Sequence, residues 1–154
     1  MRLLVTCRPL AGHFQPMLPL AEAARRRGHE VAFATGEPVA TKARILNFQS
    51  EIAGLSAAES LAARDRLGVA VLDLPQEQIR VFNFGRWFSG VETPPRLADL
   101  DRIVASFRPN VLLHEGAELA GPLAAAGAGI PWVTLGFGLL PPPELAALAG
   151  EALA

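Results

Sequence analysis

Short runs of apolar and β-branched residues alternate with longer segments of helical periodicity along most of this chain. Runs of this kind are typical of strands that are buried on both faces. Strands that alternate with helices predict a doubly wound, Rossmann-like α/β fold with a mostly parallel sheet. The five predicted strands lie within the segments RLLVTC, HEVAFAT, ILNFQSEIAG, NVLLHEG and IPWVTLGFG.

The first helix has the clearest pattern. Apolar residues from Met17 to Ala24 recur at helical spacing, Pro16 suits the first turn, and Gly28 is a plausible C-cap. Ser56 and Glu59 resemble a capping box that opens a second helix. Further helices are predicted in the segments 95–107, 117–129 and 141–154, and no element is assigned to residues 68–92.

The order of the strands determines where a ligand would bind. If the first three strands wind one way and the last two the other, the order is 3-2-1-4-5 or an extension of it. Strands one and four are then neighbours at the switch point, where open α/β sheets bind their ligands beyond the carboxyl ends of the strands.

Length and composition predict one globular domain, residues 1–154. The chain of 154 residues is 51% hydrophobic and 19% charged, which favours a packed core over disorder. Its formal net charge of -1 gives no electrostatic reason to expect nucleic acid or an anionic membrane surface as a partner.

Two features bear on the location of the protein. Cys7 is the only cysteine and lies in a predicted strand, so we expect a buried reduced thiol and a cytoplasmic protein. Residues 119–140 carry no charge over a length that could span a bilayer. Pro122, Pro131 and several glycines divide this segment into a helix, a turn and a strand, so no membrane span is expected.

His13 and Glu115 are the candidate catalytic pair. His13 follows strand one and Glu115 ends strand four, so both lie at carboxyl ends of neighbouring strands, which run about 4.8 Å apart. A histidine transfers protons near neutral pH, and a carboxylate on its second nitrogen fixes its tautomer and stabilises the imidazolium. Such a pair could deprotonate a substrate hydroxyl.

Structural interpretations compete with this one. His13 could be a solvated loop residue, and Glu115 could serve the N-terminus of the next helix, although Glu118 suits that role better. The first loop lacks both the dinucleotide and the P-loop glycine motifs. His29 and His114 have no metal-ligand spacing relative to His13, so we predict no metal or cofactor.

Aromatic residues cluster in the unassigned segment, residues 68–92. Phe82, Phe84, Trp87 and Phe88 account for four of the ten aromatic residues. Such residues are more often core than ligand wall, but a segment rich in glycine and polar residues also fits a hydrophobic acceptor pocket. The candidate acceptor contacts are Phe14, Phe84, Trp87, Phe88 and Phe137.

The segments GHFQPMLPLAEAARRRGHEVAFATG and FRPNVLLHEGAELAGPLAAAGAGIPWVTLGFG resemble the N-terminal, acceptor-binding half of GT-B glycosyltransferases of the UDP-glycosyltransferase type. The similarity is strongest to actinobacterial enzymes that glycosylate macrolides, enediynes and similar antibiotics. It covers nearly the whole chain, with residues 60–95 the part in which acceptor-binding segments of this family vary.

The resemblance implies an inverting transfer of a sugar from a nucleotide donor to a hydroxyl of a hydrophobic natural product, without a catalytic metal. His13 matches the base of the family's G-H-x-x-P motif, and Gly12 would let this loop approach the phosphates of the nucleotide sugar. Glu115 matches the acidic partner, which is usually aspartate and therefore one methylene shorter.

One departure from the family stands out. The nucleotide-sugar site of the family lies mainly in a second domain, which we do not find in this sequence, and the acceptor domain itself is expected to be incomplete at its C-terminus. The leading hypothesis is an acceptor-binding half that needs a donor-binding domain or chain for efficient turnover, so enzymatic activity of the chain alone stays open. The alternative is a non-catalytic helper that pairs with a full-length transferase. Self-association is a further option.

Overall fold

A parallel five-stranded sheet with helices on both faces forms the molecule, and the computed structural model describes residues 1–136 and 142–153. The strands are β1 (Arg2–Thr6), β2 (Glu30–Thr35), β3 (Gln49–Ile52), β4 (Val111–Glu115) and β5 (Trp132–Leu135). The helices are α1 (Ala11–Phe14), α2 (Leu18–Arg26), α3 (Val39–Ile45), α4 (Ala57–Asp65), α5 (Gln76–Phe82), α6 (Thr93–Phe107), α7 (Ala120–Ala128) and α8 (Pro143–Glu151). A π-helical segment, Asn83–Glu92, joins α5 to α6, and 3-10 turns occupy Gln15–Met17 and Val71–Asp73.

The strand order is β3-β2-β1-β4-β5 with parallel pairing throughout, which confirms the predicted order. β1 lies between β2 and β4, and Thr6 at its end pairs with His114 of β4. Glu115 therefore extends one residue further along the same edge, where the chain leaves β1 towards α1. The switch point of the sheet lies between these two strands.

Alternate residues of β1 enter two separate cores, as a strand covered on both faces requires. On one face, Val5 packs with Phe33 and Met17 under α1, α2 and α3. On the other face, Leu4 packs with Leu100 and other apolar residues of α6 and α7. The two cores hold the central strands rigidly and fix the positions of the residues that follow them.

The capping predictions are confirmed. Ser56 accepts the backbone N–H of Glu59, and the Glu59 carboxylate accepts the N–H of Ser56, so α4 begins with a capping box. Gly28 follows α2 with a φ of 79°, a left-handed conformation that glycine adopts without steric cost. Arg108 ends α6 in the same region with a φ of 49°.

The helices differ from the sequence prediction in three places. The chain is already helical from Ala11, so His13 lies in a helical turn rather than in an extended loop. The helix α3 lies in a passage that showed no clear period. Residues 76–107, which include most of the unassigned segment, form one continuous helical run through α5, the π-helical segment and α6. No helix in the described ranges is long and apolar enough to cross a membrane.

Candidate active site

His13 lies in the turn that follows β1. The backbone of Leu10 is extended, and its carbonyl accepts the N–H groups of both His13 and Phe14, at 3.0 and 3.1 Å. This main-chain cap starts α1 without any side-chain cap. Phe14 is buried in the core beneath, whereas the His13 side chain keeps 18% of its surface accessible. The short helix therefore turns its imidazole towards the edge of the sheet.

The His13 ring meets Glu115 at this edge. Nδ1 of His13 lies 2.9 Å from Oε1 of Glu115, whose side chain is fully buried. Backbone N–H groups of Ala117 and Arg8 also donate to this carboxylate, at 2.6 and 3.3 Å. The structure thus brings together two residues that are 102 positions apart in the sequence.

These contacts determine the charge of Glu115. Burial by itself raises the pKa of Glu115, but the hydrogen bond and charge of His13 and the N–H groups of Ala117 and Arg8 together hold that pKa below its ordinary value. The carboxylate is therefore ionised at neutral pH and can only accept hydrogen bonds. For a neutral ring, this places the proton of His13 on Nδ1 and leaves the lone pair on Nε2.

Arg8 lies on the opposite side of the ring and was not anticipated from the sequence. Its Nη1 is 3.4 Å from Nε2 of His13. Its other two nitrogens bind Glu92, with Nε 2.6 Å from Oε2 and Nη2 2.8 Å from Oε1. Both side chains are buried, so Arg8 and Glu92 form a fork-like ion pair beneath the His13 ring. A charged residue directly after a buried strand was the available signal for Arg8.

The aromatic cluster covers this ion pair. The guanidinium of Arg8 lies over the ring of Phe88, 3.8 Å from its centre, and 4.7 Å from the ring centre of Trp87. Ser60 links α4 to the site, because it donates to Glu92 and accepts the indole N–H of Trp87 at 3.0 Å. Trp87 and Phe88 are nearly buried, and Phe84 packs edge-on against Phe88 with 5.3 Å between ring centres. In this structure Trp87 and Phe88 pack on Arg8, and Phe84 packs on Phe88.

The remaining predicted contacts have different surroundings. Phe14 packs edge-on against Phe33, with 5.2 Å between ring centres, and is a member of the buried core in this structure. The prediction that it contacts an acceptor is therefore not part of the proposal below. Phe137 lies outside the described residues. Gly12 is exposed, and a Cβ added there would meet no atom within 4 Å. Packing within the described chain therefore does not require a glycine at this position.

A cavity of about 670 Å³ lies elsewhere, between the helical run and α8. Val69, Phe82 and Leu148 line it, but His13 and Glu115 do not. Because it does not reach the imidazole, we assign no reacting group to it. No cluster of three or more histidine, cysteine, aspartate or glutamate side chains among the described residues could hold a metal ion.

Comparison of the sequence with known proteins identifies a relative. No protein-family model matches the chain. The chain is 36% identical over 169 residues to L-demethylnoviosyl transferase from Streptomyces niveus, an alignment that covers 99% of this chain and 39% of that protein.

Comparison of the fold leads to the same class. SsfS6, a glycosyltransferase from Streptomyces sp. SF2575, matches with a TM-score of 0.83 and 25% identity over 100% of this chain and 44% of its own. A second structure of SsfS6 contains thymidine diphosphate. The glycosyltransferase SnogD from Streptomyces nogalater matches with a TM-score of 0.71 and 28% identity, over 99% of this chain and 39% of its own.

Fold and sequence thus define a domain of the kind found in GT-B glycosyltransferases, and the resemblance noted from the sequence is confirmed. Its relatives are natural-product glycosyltransferases of Streptomyces. The chain spans only 39% to 44% of the length of these proteins.

Proposed function

We propose that this chain is the acceptor-binding part of an inverting glycosyltransferase, with His13 as the general base. The observation that carries the proposal is the 2.9 Å contact between His13 Nδ1 and Glu115 Oε1 at the switch point of the sheet. This contact orients the imidazole and leaves Nε2 as the proton acceptor. The relatives named above support sugar transfer as the reaction.

In the proposed reaction, Nε2 of His13 takes the proton of an acceptor hydroxyl. The oxygen attacks the anomeric carbon of the sugar from one side while the bond to the nucleotide diphosphate breaks on the other. The diphosphate leaves with the bonding electron pair, and the anomeric configuration inverts. Glu115 stabilises the imidazolium that forms, because its ionised carboxylate accepts from Nδ1.

The partners in this proposal are a hydrophobic natural product and a nucleotide sugar. A thymidine-diphosphate sugar is the first candidate, because SsfS6 binds thymidine diphosphate. We propose that the donor is held mainly by a second, donor-binding domain or chain, with residues 1–154 acting as the acceptor domain. Gly12, whose surroundings are open, would then face the phosphates of the donor. Orientation of two reactants contributes on the order of 7–11 kcal/mol to such a step, so the isolated chain is expected to turn over poorly.

The test joins this chain to the donor-binding part of SsfS6, either as a mixture or as a fusion. Thymidine-diphosphoglucose is the donor, a panel of phenolic and polyketide aglycones supplies the acceptors, and mass spectrometry detects the glycoside. We expect His13→Ala to lower turnover by about 10²- to 10⁴-fold, the usual contribution of a positioned base. His29→Ala is the matched control, because His29 precedes β2 and takes no part in the site.

Equal turnover of wild type and His13→Ala would exclude His13 as the base. The helper hypothesis requires neither His13 nor Glu115, and the contact between them gives it no support. It would be favoured if no combination transfers sugar while the chain still activates a full-length transferase.

A further inference from the structure

Arg8 is held in place by three groups. Its side chain is 3% exposed, Glu92 binds two of its nitrogens, and the rings of Phe88 and Trp87 lie against the guanidinium plane. A bidentate pair of this kind fixes both the position and the orientation of the guanidinium. The nitrogen that Glu92 does not bind, Nη1, is consequently directed at the His13 ring.

His13 therefore lies between two groups with opposite hydrogen-bonding character. The guanidinium of Arg8, 3.4 Å from Nε2, can only donate, and the carboxylate of Glu115, 2.9 Å from Nδ1, can only accept. Both neighbours favour the same neutral tautomer, with the proton on Nδ1. Arg8 adds what Glu115 cannot supply, because its positive charge opposes a second proton on Nε2.

A general base must have an unprotonated nitrogen, so the effect of Arg8 on Nε2 bears directly on the proposed role of His13. A buried carboxylate alone favours the imidazolium, which has no lone pair for the proton of an acceptor. We propose that Arg8 is a positioning residue that keeps His13 neutral and Nε2 unprotonated in the resting enzyme. This inference rests on the proposed role of His13 as the base, and it concerns a residue that acts through His13 rather than on the acceptor.

Three buried charged side chains surround the ring. Glu115 binds Nδ1, Arg8 lies beside Nε2, and Glu92 binds Arg8 from behind. Without Arg8, the ring would have two buried carboxylates near it and no guanidinium, and the imidazolium would be favoured before any acceptor arrives.

The ring nitrogens of the ¹⁵N-labelled 154-residue chain provide the test at pH 7. We expect wild-type His13 to show a protonated Nδ1 and an unprotonated Nε2. In Arg8→Met the ratio of imidazolium to neutral ring should rise about tenfold, because a like charge close to Nε2 is removed. Arg8→Lys keeps the cation but loses the fork that directs a nitrogen at the ring, so its ratio should lie between those of wild type and Arg8→Met.

Two controls keep the result interpretable. Arg64→Met removes a guanidinium that also lies over Trp87, 5.1 Å from its ring centre, and should leave the His13 signals unchanged. The ring of His114, which contacts the carbonyls of Glu115 and Glu118, reports in the same spectrum that the sheet is intact.

Loss of Arg8 alone leaves the buried carboxylate of Glu92 without its cation and can prevent folding. The double variant Arg8→Met with Glu92→Leu removes both charges and should still shift His13 towards the imidazolium. An unchanged ring state in either folded variant, Arg8→Met or the double variant, would overturn the proposal. Failure of sugar transfer in the fusion would instead contradict the proposed function. It would not change the ring states of His13 in the spectrum, so the two failures can be told apart.

Discussion

At the scale of single residues, Glu115 shows how a side chain one methylene longer than the expected aspartate is accommodated. Its carboxylate ends β4 fully buried, reaches His13 at 2.9 Å and still accepts the N–H of Ala117 at 2.6 Å. The backbone of the loop after β4 folds back onto the longer side chain. The length of the residue therefore does not prevent the contact.

Glu115→Gln should lose stability in a way that depends on pH. The pKa of Glu115 lies below its ordinary value of 4.5 in the folded chain. Its charge therefore stabilises the fold above about pH 4.5, and this contribution disappears as the pH falls through the lower folded value. We expect the wild type to be more stable than Glu115→Gln by about 1–3 kcal/mol at pH 7, with a smaller difference in acid.

Urea unfolding of both proteins from pH 7 down to pH 3 measures this difference. The acidic shift of Glu37 is common to both chains and cancels in the comparison. A difference in unfolding free energy that stays constant over this range would show that the charge of Glu115 does not stabilise the fold.

At the scale of elements, the N-terminus of α7 depends on a glycine. The carboxylate of Glu118 accepts the N–H groups of Ala120 and Gly121 and also the hydroxyl of Thr6 at the end of β1. This confirms the prediction that Glu118 serves the helix N-terminus. A Cβ on Gly121 would lie 2.5 Å from the Glu118 carboxylate and 2.6 Å from the Thr6 hydroxyl, too close for either to stay in place.

Gly121→Ala should therefore destabilise the protein by about 1–3 kcal/mol, the range typical of overpacked sites. Gly127→Ala, in the same helix, is the matched control, because a Cβ there meets no atom within 4 Å. Alanine is the better helix former, so the control should gain up to about 1 kcal/mol. Thermal unfolding of both variants measures the contrast, and equal melting temperatures would refute the packing argument.

The helical run over residues 76–107 shows where prediction from sequence fails for an element. The second half of the run, α6, has apolar residues on one face and was predicted. The first half contains the π-helical segment, where Gly85 and Gly90 are poor helix formers and no side-chain cap marks a start, so no helix was predicted there. Glu92, at the end of that segment, was consequently not expected to meet Arg8.

At the scale of the whole molecule, the sequence was sufficient for the strand order and hence for the meeting of His13 and Glu115. Buried strands such as β1 and β4 carry a continuous apolar signal, and topology then places their carboxyl ends side by side. The apolar pattern of a strand does not predict in which direction the side chains of the following loop point. The inward turn of Phe14 and the ion pair of Arg8 with Glu92 depend on tertiary packing, so the structure was needed to find them.

The only cysteine offers a readout of global unfolding. Burial raises the pKa of Cys7 from 9.0 to about 12, and the thiol donates to the hydroxyl of Thr35, at 3.8 Å. We expect no reaction with a disulfide reagent in the folded chain, and full reaction in denaturant. A thiol that reacts at the same rate in both states would contradict this placement.

The same thiol makes the fold sensitive to alkali. Above pH 9.0 the unfolded chain releases the Cys7 proton and the folded chain keeps it until about pH 12. Stability should therefore fall over this range by up to about 1.4 kcal/mol per pH unit relative to Cys7→Ala, which lacks the thiol. Parallel unfolding curves of the two proteins at pH 8 and pH 10 measure the effect.

Two oppositely charged residues one helical turn apart fix how the run over residues 76–107 docks on the sheet. Glu92 pairs with Arg8 beyond β1, and Arg96 lies 3.8 Å from Glu118 beyond β4. If the run slipped by one turn in one direction, Arg96 would face Arg8; in the other, Glu92 would face Glu118. Either slip buries two like charges next to each other, so only one position of the helix along its axis forms both ion pairs. Trp87 and Phe88 therefore meet the guanidinium of Arg8 in a single register.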